Sequence, residues 1–320
     1  MPELPVTFDD VRRAAAVIDG HVRRTPVFSC ASLGEGVWLK AELLQRTGAF
    51  KVRGAFSRIA ELTDAERARG IVTCSAGNHA AAVALAGREL GTNALVMMPR
   101  NASPPKVAAT RAYGATADLE SADAAEAFAR MDAEAEATGR VIVHPFNDPA
   151  VIAGQGTLGI ELCEQVGDVT QVVVPVGGGG LIGGVATAVK ALAPGARVIG
   201  VEPAVIATLA ASIAAGEPVV RPRTATLADA LAPPAIGVAP LAVLTALLDG
   251  VVTVSEDELA EGFRFLYARA KLAVEPAAAA PAAALLAGAI DPMPGTVLVL
   301  SGGNVAPEVA ARILADAPSG

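Results

Sequence analysis

Lysine is scarce in this chain: Lys40, Lys51, Lys106, Lys190 and Lys271 are the five present. Only Lys51 sits between apolar neighbours in a glycine-flanked turn, Thr47-Gly48-Ala49-Phe50-Lys51-Val52-Arg53-Gly54-Ala55, that leads into a helix; the other four fall in surface or helix contexts. A desolvated lysine sheds its proton more readily and becomes a nucleophile towards an aldehyde. Taken alone, an exposed lysine at a helix start is the plainer reading.

A second segment concerns anions. Val172-Val173-Val174-Pro175-Val176 runs into Gly177-Gly178-Gly179-Gly180 and then Leu181-Ile182-Gly183-Gly184. Glycines let backbone N–H groups converge, and the helix start that follows adds positive potential, which makes a phosphate cradle. A tight strand-to-helix turn is the alternative, and one or two glycines would serve it. The spacing Gly178-x-Gly180-x-x-Gly183, with Glu202 closing the next strand, also matches a dinucleotide fingerprint. A nicotinamide-dependent oxidoreductase is therefore a rival. No Lys-Ser/Thr pair follows the loop, which excludes a nucleoside-triphosphate P-loop. Two further loops complete the set. Thr73-Cys74-Ser75-Ala76-Gly77-Asn78-His79 feeds a helix N-terminus and suits a carboxylate, the alternative being a plain N-cap by Ser75 or Asn78. Leu300-Ser301-Gly302-Gly303-Asn304 is another strand end opening into glycine.

The elements that must hold these loops alternate. Strands are expected at Val37–Ala41, Gly70–Thr73, Asn93–Met98, Val141–Val143, Val172–Val176, Arg197–Val201, Val251–Val254 and Thr296–Leu300, with Ala-rich helices between nearly all of them. Capping boxes Thr7/Asp10, Thr63/Glu66 and Ser255/Glu258 and the Ser103-Pro104-Pro105 start mark helix N-termini. The alternation predicts an α/β protein with mostly parallel sheets flanked by helices. The 18 uncharged residues from Val172 to Val189 approach the length of a membrane span, but they hold Pro175 and six glycines. They read as strand, loop and helix start. The Ala/Pro stretch from Val274 to Ile290 reads as a buried helix.

Composition narrows the classes. The 320 residues suggest about two domains. With 52% hydrophobic residues, a core is assured. A formal charge of −8 without a basic block argues against nucleic acid or an anionic membrane. Cys30, Cys74 and Cys163 form no CxxC and suit a reducing cytosol. With only His21, His79 and His144, a multi-His metal site is not expected. The start Met1-Pro2-Glu3-Leu4 has no apolar signal region, so a cytoplasmic location is expected.

Together the segments resemble the fold-type II pyridoxal-phosphate (PLP) enzymes, specifically the threonine/serine dehydratase and serine racemase group. Arg24-Thr25-Pro26-Val27, Glu42 through Lys51, Ser75 through His79, Val151 through Thr157, the tetraglycine loop and Ser301 through Asn304 occur in that family's order. The rival dinucleotide reading gives no role to Lys51 or to the Asn78 loop. The resemblance implies a two-domain fold like the tryptophan synthase β chain, with the cofactor in the interdomain cleft. The large domain would comprise residues 1–64 and 148–320, and a small mobile domain residues 65–147. Lys51 would form the Schiff base, Phe50 would pack on the pyridine ring, and Asn78 would bond the ring hydroxyl. Gly177, Gly178, Gly179, Gly180 and Leu181 would hold the phosphate, and Ser301 the ring nitrogen, with Gly237 and Glu275 beside the ring. Ser75, Ala76, Asn78 and His79 would bind the substrate carboxylate, partly by main chain.

The implied activity is β-elimination from L-threonine or L-serine to a 2-oxo acid and ammonia, by a homodimer. Racemisation, or dehydration of another β-hydroxy amino acid such as hydroxyaspartate or an aryl-serine, is the alternative. Two departures bear on this choice. The racemase branch carries a serine where this chain has Ala76. Glu202 matches a metal-binding glutamate of that branch, but Thr208 replaces its aspartate partner, so no metal is expected. A methyl group cannot move a proton. L-serine incubated with this protein should therefore yield pyruvate with little D-serine, and Ala76→Ser should raise D-serine measurably, because a placed acid/base contributes about 10²–10⁴-fold. Chiral analysis of the recovered serine decides; rapid D-serine formation by the unaltered chain would show that another residue serves that face.

Overall fold

The computed structural model describes residues 4–222 and 224–316. Among the described residues ten strands form two sheets: β1 (Val27–Ser29), β2 (Val37–Ala41), β3 (Ile71–Cys74), β4 (Ala94–Pro99), β5 (Thr116–Ser121), β6 (Val141–Ile142), β7 (Gln171–Pro175), β8 (Arg197–Pro203), β9 (Gly250–Val254) and β10 (Thr296–Leu300). The six-stranded sheet has the order β1-β2-β10-β7-β8-β9, and the four-stranded sheet the order β5-β4-β3-β6. All pairs are parallel except β1 with β2. All eight expected strands are present, within two residues at each end. The two missed strands lie at sheet edges. β1 has three residues, and β5 is the polar run Thr-Ala-Asp-Leu-Glu-Ser, so neither shows an apolar alternation. The three capping boxes all form with reciprocal bonds.

The larger sheet is buried on both faces, and its strands divide their side chains accordingly. Val172, Val174, Val297 and Val299 pack with Ile182, Val185 and Leu158 from the helices Gly180–Leu192 and Pro149–Val166. Val173, Leu298 and Leu300 meet the other layer, the helices Glu256–Ala268 and Pro276–Leu286. The second of these is the expected Ala/Pro helix, and Pro276 through Leu285 are all buried in it. Among the described residues no helix is long and apolar enough to cross a membrane. The smaller sheet packs Ile71, Val96 and Met98 against the helix Asn78–Glu89, with Val52, Phe56 and Ile59 of the helix Val52–Ala60 in the same cluster. Its other face receives Ala127 and Met131 from the helix Ala124–Thr138.

This topology gathers the loops. In a parallel sheet, ligands sit beyond the carboxyl ends of strands, where the chain order reverses. The segments after β2, β3, β7 and β10 are the Lys51 turn, the Asn78 loop, the glycine loop and the Ser301 loop. β10, last in sequence, lies between β2 and β7 and closes the larger part of the site.

One lysine departs from expectation. Lys40 is fully enclosed rather than at the surface. On β2 it points away from Val37 and Leu39, towards the helix Pro149–Val166, where its ammonium meets Glu161, the Gln165 amide at 2.9 Å and the Thr25 carbonyl at 2.9 Å. Arg53 is equally enclosed. Its guanidinium forks onto Glu42 with two bonds of 2.8 Å and onto Glu161 at 2.7 and 3.0 Å. Two cations and two carboxylates thus neutralise one another. Removing one partner of a buried pair strands the rest. Arg53→Met should lower the unfolding free energy by about 3–5 kcal/mol, read by urea denaturation. A loss under about 1 kcal/mol would mean that water or a neighbouring cation relieves the two carboxylates.

Candidate active site

The four loops converge on a cleft of about 290 Å³ between the two sheets. Phe50, Lys51, Ser75, Ala76, Asn78, His79, Gly177, Gly178, Gly179, Gly180, Leu181, Glu275 and Ser301 all line it. Gly237 does not. It lies behind the wall, donating its N–H to the Gly178 carbonyl at 3.1 Å and starting the helix Val238–Leu247.

Lys51 immediately precedes the helix Val52–Ala60. Its ammonium donates to the Pro145 carbonyl at 2.7 Å and lies 5.1 Å from the centre of the Phe50 ring. Burial lowers its pKa to about 8, partly opposed by the Glu275 carboxylate. The amine is therefore substantially neutral, and nucleophilic, at mildly alkaline pH. The turn is anchored behind it. Phe50 N–H donates to the Ser301 carbonyl at 3.0 Å, and Ala49 bridges Gly302.

Two helix N-termini face the cleft without side-chain caps. The helix Asn78–Glu89 starts at Gly77 and the helix Gly180–Leu192 at Gly179, and neither has an acidic residue in its first turn. Neither Ser75 nor Asn78 caps its helix; the Ser75 hydroxyl instead accepts from the Gly77 N–H at 3.2 Å. In the glycine helix the first internal bond runs from Gly183 N–H to the Gly179 carbonyl. The N–H groups before it carry the partial positive charge of the helix end and are free for an anion. The glycines have packing reasons too. Gly179 adopts φ +87°, a side chain at Gly178 would collide with the ring of Phe146, which crosses from the segment after β6, and one at Gly180 would press on the Phe146 backbone at 3.0 Å.

Three further groups, His79, His144 and Glu275, are driven towards neutrality. Burial lowers His79 to about 3 and His144 to about 4, with the Lys51 charge adding to both. His79 Nε2 lies 2.9 Å from the Val143 carbonyl, which can only accept, so Nε2 carries the hydrogen and the buried Nδ1 has no partner. That ring offers the cleft no N–H, so only the main chain of His79 could donate to an anion there. Burial raises Glu275 to about 7, helped by nearby Asp229 and opposed by the bond from Asn78. Asn78 Nδ2 donates to both Glu275 oxygens at 2.8 and 3.1 Å. Sequence reasoning assigned no role to Pro145, Phe146 or Asn304, which touch Lys51, the glycine loop and Asn78 respectively. Asn304 stands in the Ser301 motif; Pro145 and Phe146 carry no local signal and enter by tertiary packing alone.

Glu202 is elsewhere. Its buried carboxylate accepts from Leu209 N–H at 2.7 Å and Ala210 N–H at 3.0 Å, capping the helix Thr208–Ala215, with the Thr208 hydroxyl at 3.4 Å. Among the described residues no group of three metal-ligating side chains occurs. Nor is Glu202 free to bind a ribose, as the dinucleotide reading requires.

A family model described as "Pyridoxal-phosphate dependent enzyme" matches residues 18–302. This chain belongs to that family. The nicotinamide alternative is thereby overturned. Among relatives, the catabolic L-threonine dehydratase TdcB of Escherichia coli is 42% identical over 311 residues, covering 95% of this chain and 94% of that protein. The solved structure of maize serine racemase superposes with a TM-score of 0.91 at 37% identity, covering 96% of each chain. That of a T.th. threonine deaminase gives 0.89 at 40% identity, covering 94% of this chain and 99% of the other. The relatives share the fold-type II α/β architecture.

The residues present fit PLP. An anion cradle without side chains, an aromatic ring beside an amine of lowered pKa, and a buried serine at the end of β10 are the kinds of group that its phosphate, aldehyde and ring would require. The pH dependence follows from Lys51. Its amine loses the proton as pH rises through about 8, where an ordinary lysine waits until 10.5. Trapping of PLP on the cofactor-free protein by borohydride should accelerate through a midpoint near 8 and vanish in Lys51→Ala. A midpoint near that of free lysine would show that the amine is solvated.

Proposed function

We propose that this protein is a PLP-dependent ammonia-lyase that dehydrates L-threonine and L-serine to the 2-oxo acid and ammonia. The observation that carries the reading is the placement of Lys51, an amine of lowered pKa, opposite two uncapped helix N-termini. Relatives named as threonine dehydratases or ammonia-lyases support it at 42–43% identity. Bound PLP supplies an aldehyde that captures the substrate amine and a conjugated ring that withdraws electrons from the α-carbon.

In this reading the chain's own residues do the following. Main-chain N–H groups of Gly177 to Leu181 hold the phosphate. Phe50 packs on the ring, and Asn78 donates to the ring hydroxyl. Ser301 presents a neutral hydroxyl to the ring nitrogen; lacking a carboxylate, it does not hold a proton there. Prolonged charge on the α-carbon, as transamination requires, is then disfavoured relative to loss of the β-hydroxyl. The N–H groups at the start of the helix Asn78–Glu89, with Ser75 beside them, orient the substrate carboxylate. Lys51, as the free amine, would take the α-proton at Nζ. The Asn78 loop belongs to the four-stranded sheet and closes on the substrate, excluding water. Ala76, a methyl group, supports elimination over racemisation. The free thiols Cys30, Cys74 and Cys163 suit a reducing cytoplasm.

The test is the purified holoenzyme against a panel of β-hydroxy amino acids, read as 2-oxo acid release. L-threonine and L-serine should lead the panel, and Lys51→Ala should abolish turnover while the circular dichroism spectrum is preserved. Turnover retained in that variant, or a preference for hydroxyaspartate, would overturn the mechanism or the substrate assignment respectively.

A further inference from the structure

We propose that Asn304 is a positioning residue: by donating to both Thr47 and Asn78 it fixes the Asn78 amide with its NH₂ group turned into the cleft. This rests on the reading that Asn78 meets the cofactor ring, and it adds the reason why Asn78 does so as a donor.

The assignment follows from the bonds. Asn304 Nδ2 lies 2.7 Å from the Thr47 carbonyl oxygen and 2.8 Å from Asn78 Oδ1. A main-chain carbonyl accepts and never donates, so the Asn304 atom facing Thr47 must be the nitrogen. That nitrogen has two hydrogens; one goes to Thr47 and the other to Asn78. The Asn78 atom that receives it must be the oxygen. Asn78 Nδ2 is then left for the cleft, where it meets the Glu275 carboxylate. The reverse orientation would set two NH₂ groups against each other. Polarity is thus handed from one carbonyl through two amides to the site.

The origin of the chain is itself held rigidly. Thr47 has φ +59°, a left-handed conformation rare for a β-branched residue, and Gly48 follows at φ +73°. Gly48 packs against the Asn304 side chain so closely that an added Cβ would lie 2.5 Å from Asn304 Oδ1. The strained turn that carries Lys51 therefore also aims the carbonyl that orients Asn304. Strain of this kind persists where the surroundings over-determine it. Without Asn304, the Asn78 amide could turn over when Glu275 is protonated and present its oxygen to the cleft.

The experiment compares the wild type, Asn304→Asp, Asn78→Ala and the double variant. It measures PLP affinity by equilibrium dialysis, and the pH titration of the bound cofactor's visible absorbance. Asn304→Asp has the same size but can donate to neither Thr47 nor Asn78. PLP affinity should fall by about 3–10-fold, the range of one lost hydrogen bond. The titration midpoint should move up, because an oxygen anion that loses its donor is protonated more readily. Added to Asn78→Ala, Asn304→Asp should change neither quantity further. Asn304 is exposed, so the fold should tolerate the change; Asn304→Ala provides a second variant expected to shift both quantities the same way. If Asn78→Ala moves both quantities and Asn304→Asp neither, or if the effects add, the proposal fails alone. Lowered thermal stability with an unmoved midpoint marks a merely structural residue and also overturns it. If Asn78→Ala itself moves neither quantity, the reading of Asn78 fails and takes the proposal with it.

Discussion

A guanidinium without access to water, two residues from Lys51, constrains the rest of the site. Arg53 cannot lose its proton, so its burial demands carboxylates wherever the chain places it. Glu42 comes from the turn after β2, and Glu161 from the helix behind that strand. Lys40 balances the second carboxylate from β2 itself. Together they tie the strand, the helix Pro149–Val166 and the Lys51 turn into one body. Such a cluster adds little net stability over a well-packed apolar core, but it tolerates few geometries. For a site that has to keep the Lys51 amine in one place, that intolerance is useful.

The same burial sets the electrostatics of the cleft. Lys51, His79 and His144 are pushed towards their neutral forms by desolvation, and Glu275 likewise from the other side. With the histidines neutral and Lys51 partly so, the uncapped helix ends add a positive potential that does not titrate. A chain of net charge −8 can therefore hold an anionic cofactor without a cluster of basic side chains. Keeping Lys51 partly neutral is compatible with that cradle, whereas a ring of arginines in its place would have added charges that a reactive amine must face.

Much of this was legible in the sequence, for reasons that can be named. The buried parallel strands are continuous Val/Leu runs, and their ends bear the glycine and small-polar loops, so β7 and β10 announce both themselves and the site. Capping boxes are local and were read correctly. What escaped was non-local or lacked pattern. β1 and β5 are edges held by a neighbour. Lys40 occupies one alternate position in an otherwise apolar strand, and only the helix packed over it, carrying Glu161, makes it an interior residue. Pro145 acts through its carbonyl, which every residue possesses, and no side-chain pattern could single it out.

The glycine loop shows how packing and binding can ask for the same residues. Four consecutive glycines exceed what a tight turn needs, and that excess pointed to a phosphate. In the structure most of the excess has a packing explanation. Gly178 and Gly180 give way to Phe146, Gly179 takes a left-handed conformation against Ile236 and Pro240, and Gly177 lies against Leu231. What would let the loop serve as a cradle is the absence of a capping side chain at the start of the helix Gly180–Leu192, which leaves its first N–H groups without an internal partner. Packing and binding are not rival accounts of these residues. Phe146 fits because the glycines have no side chains, and it crosses from the segment after β6 to line the cleft beside the start of the helix Gly180–Leu192.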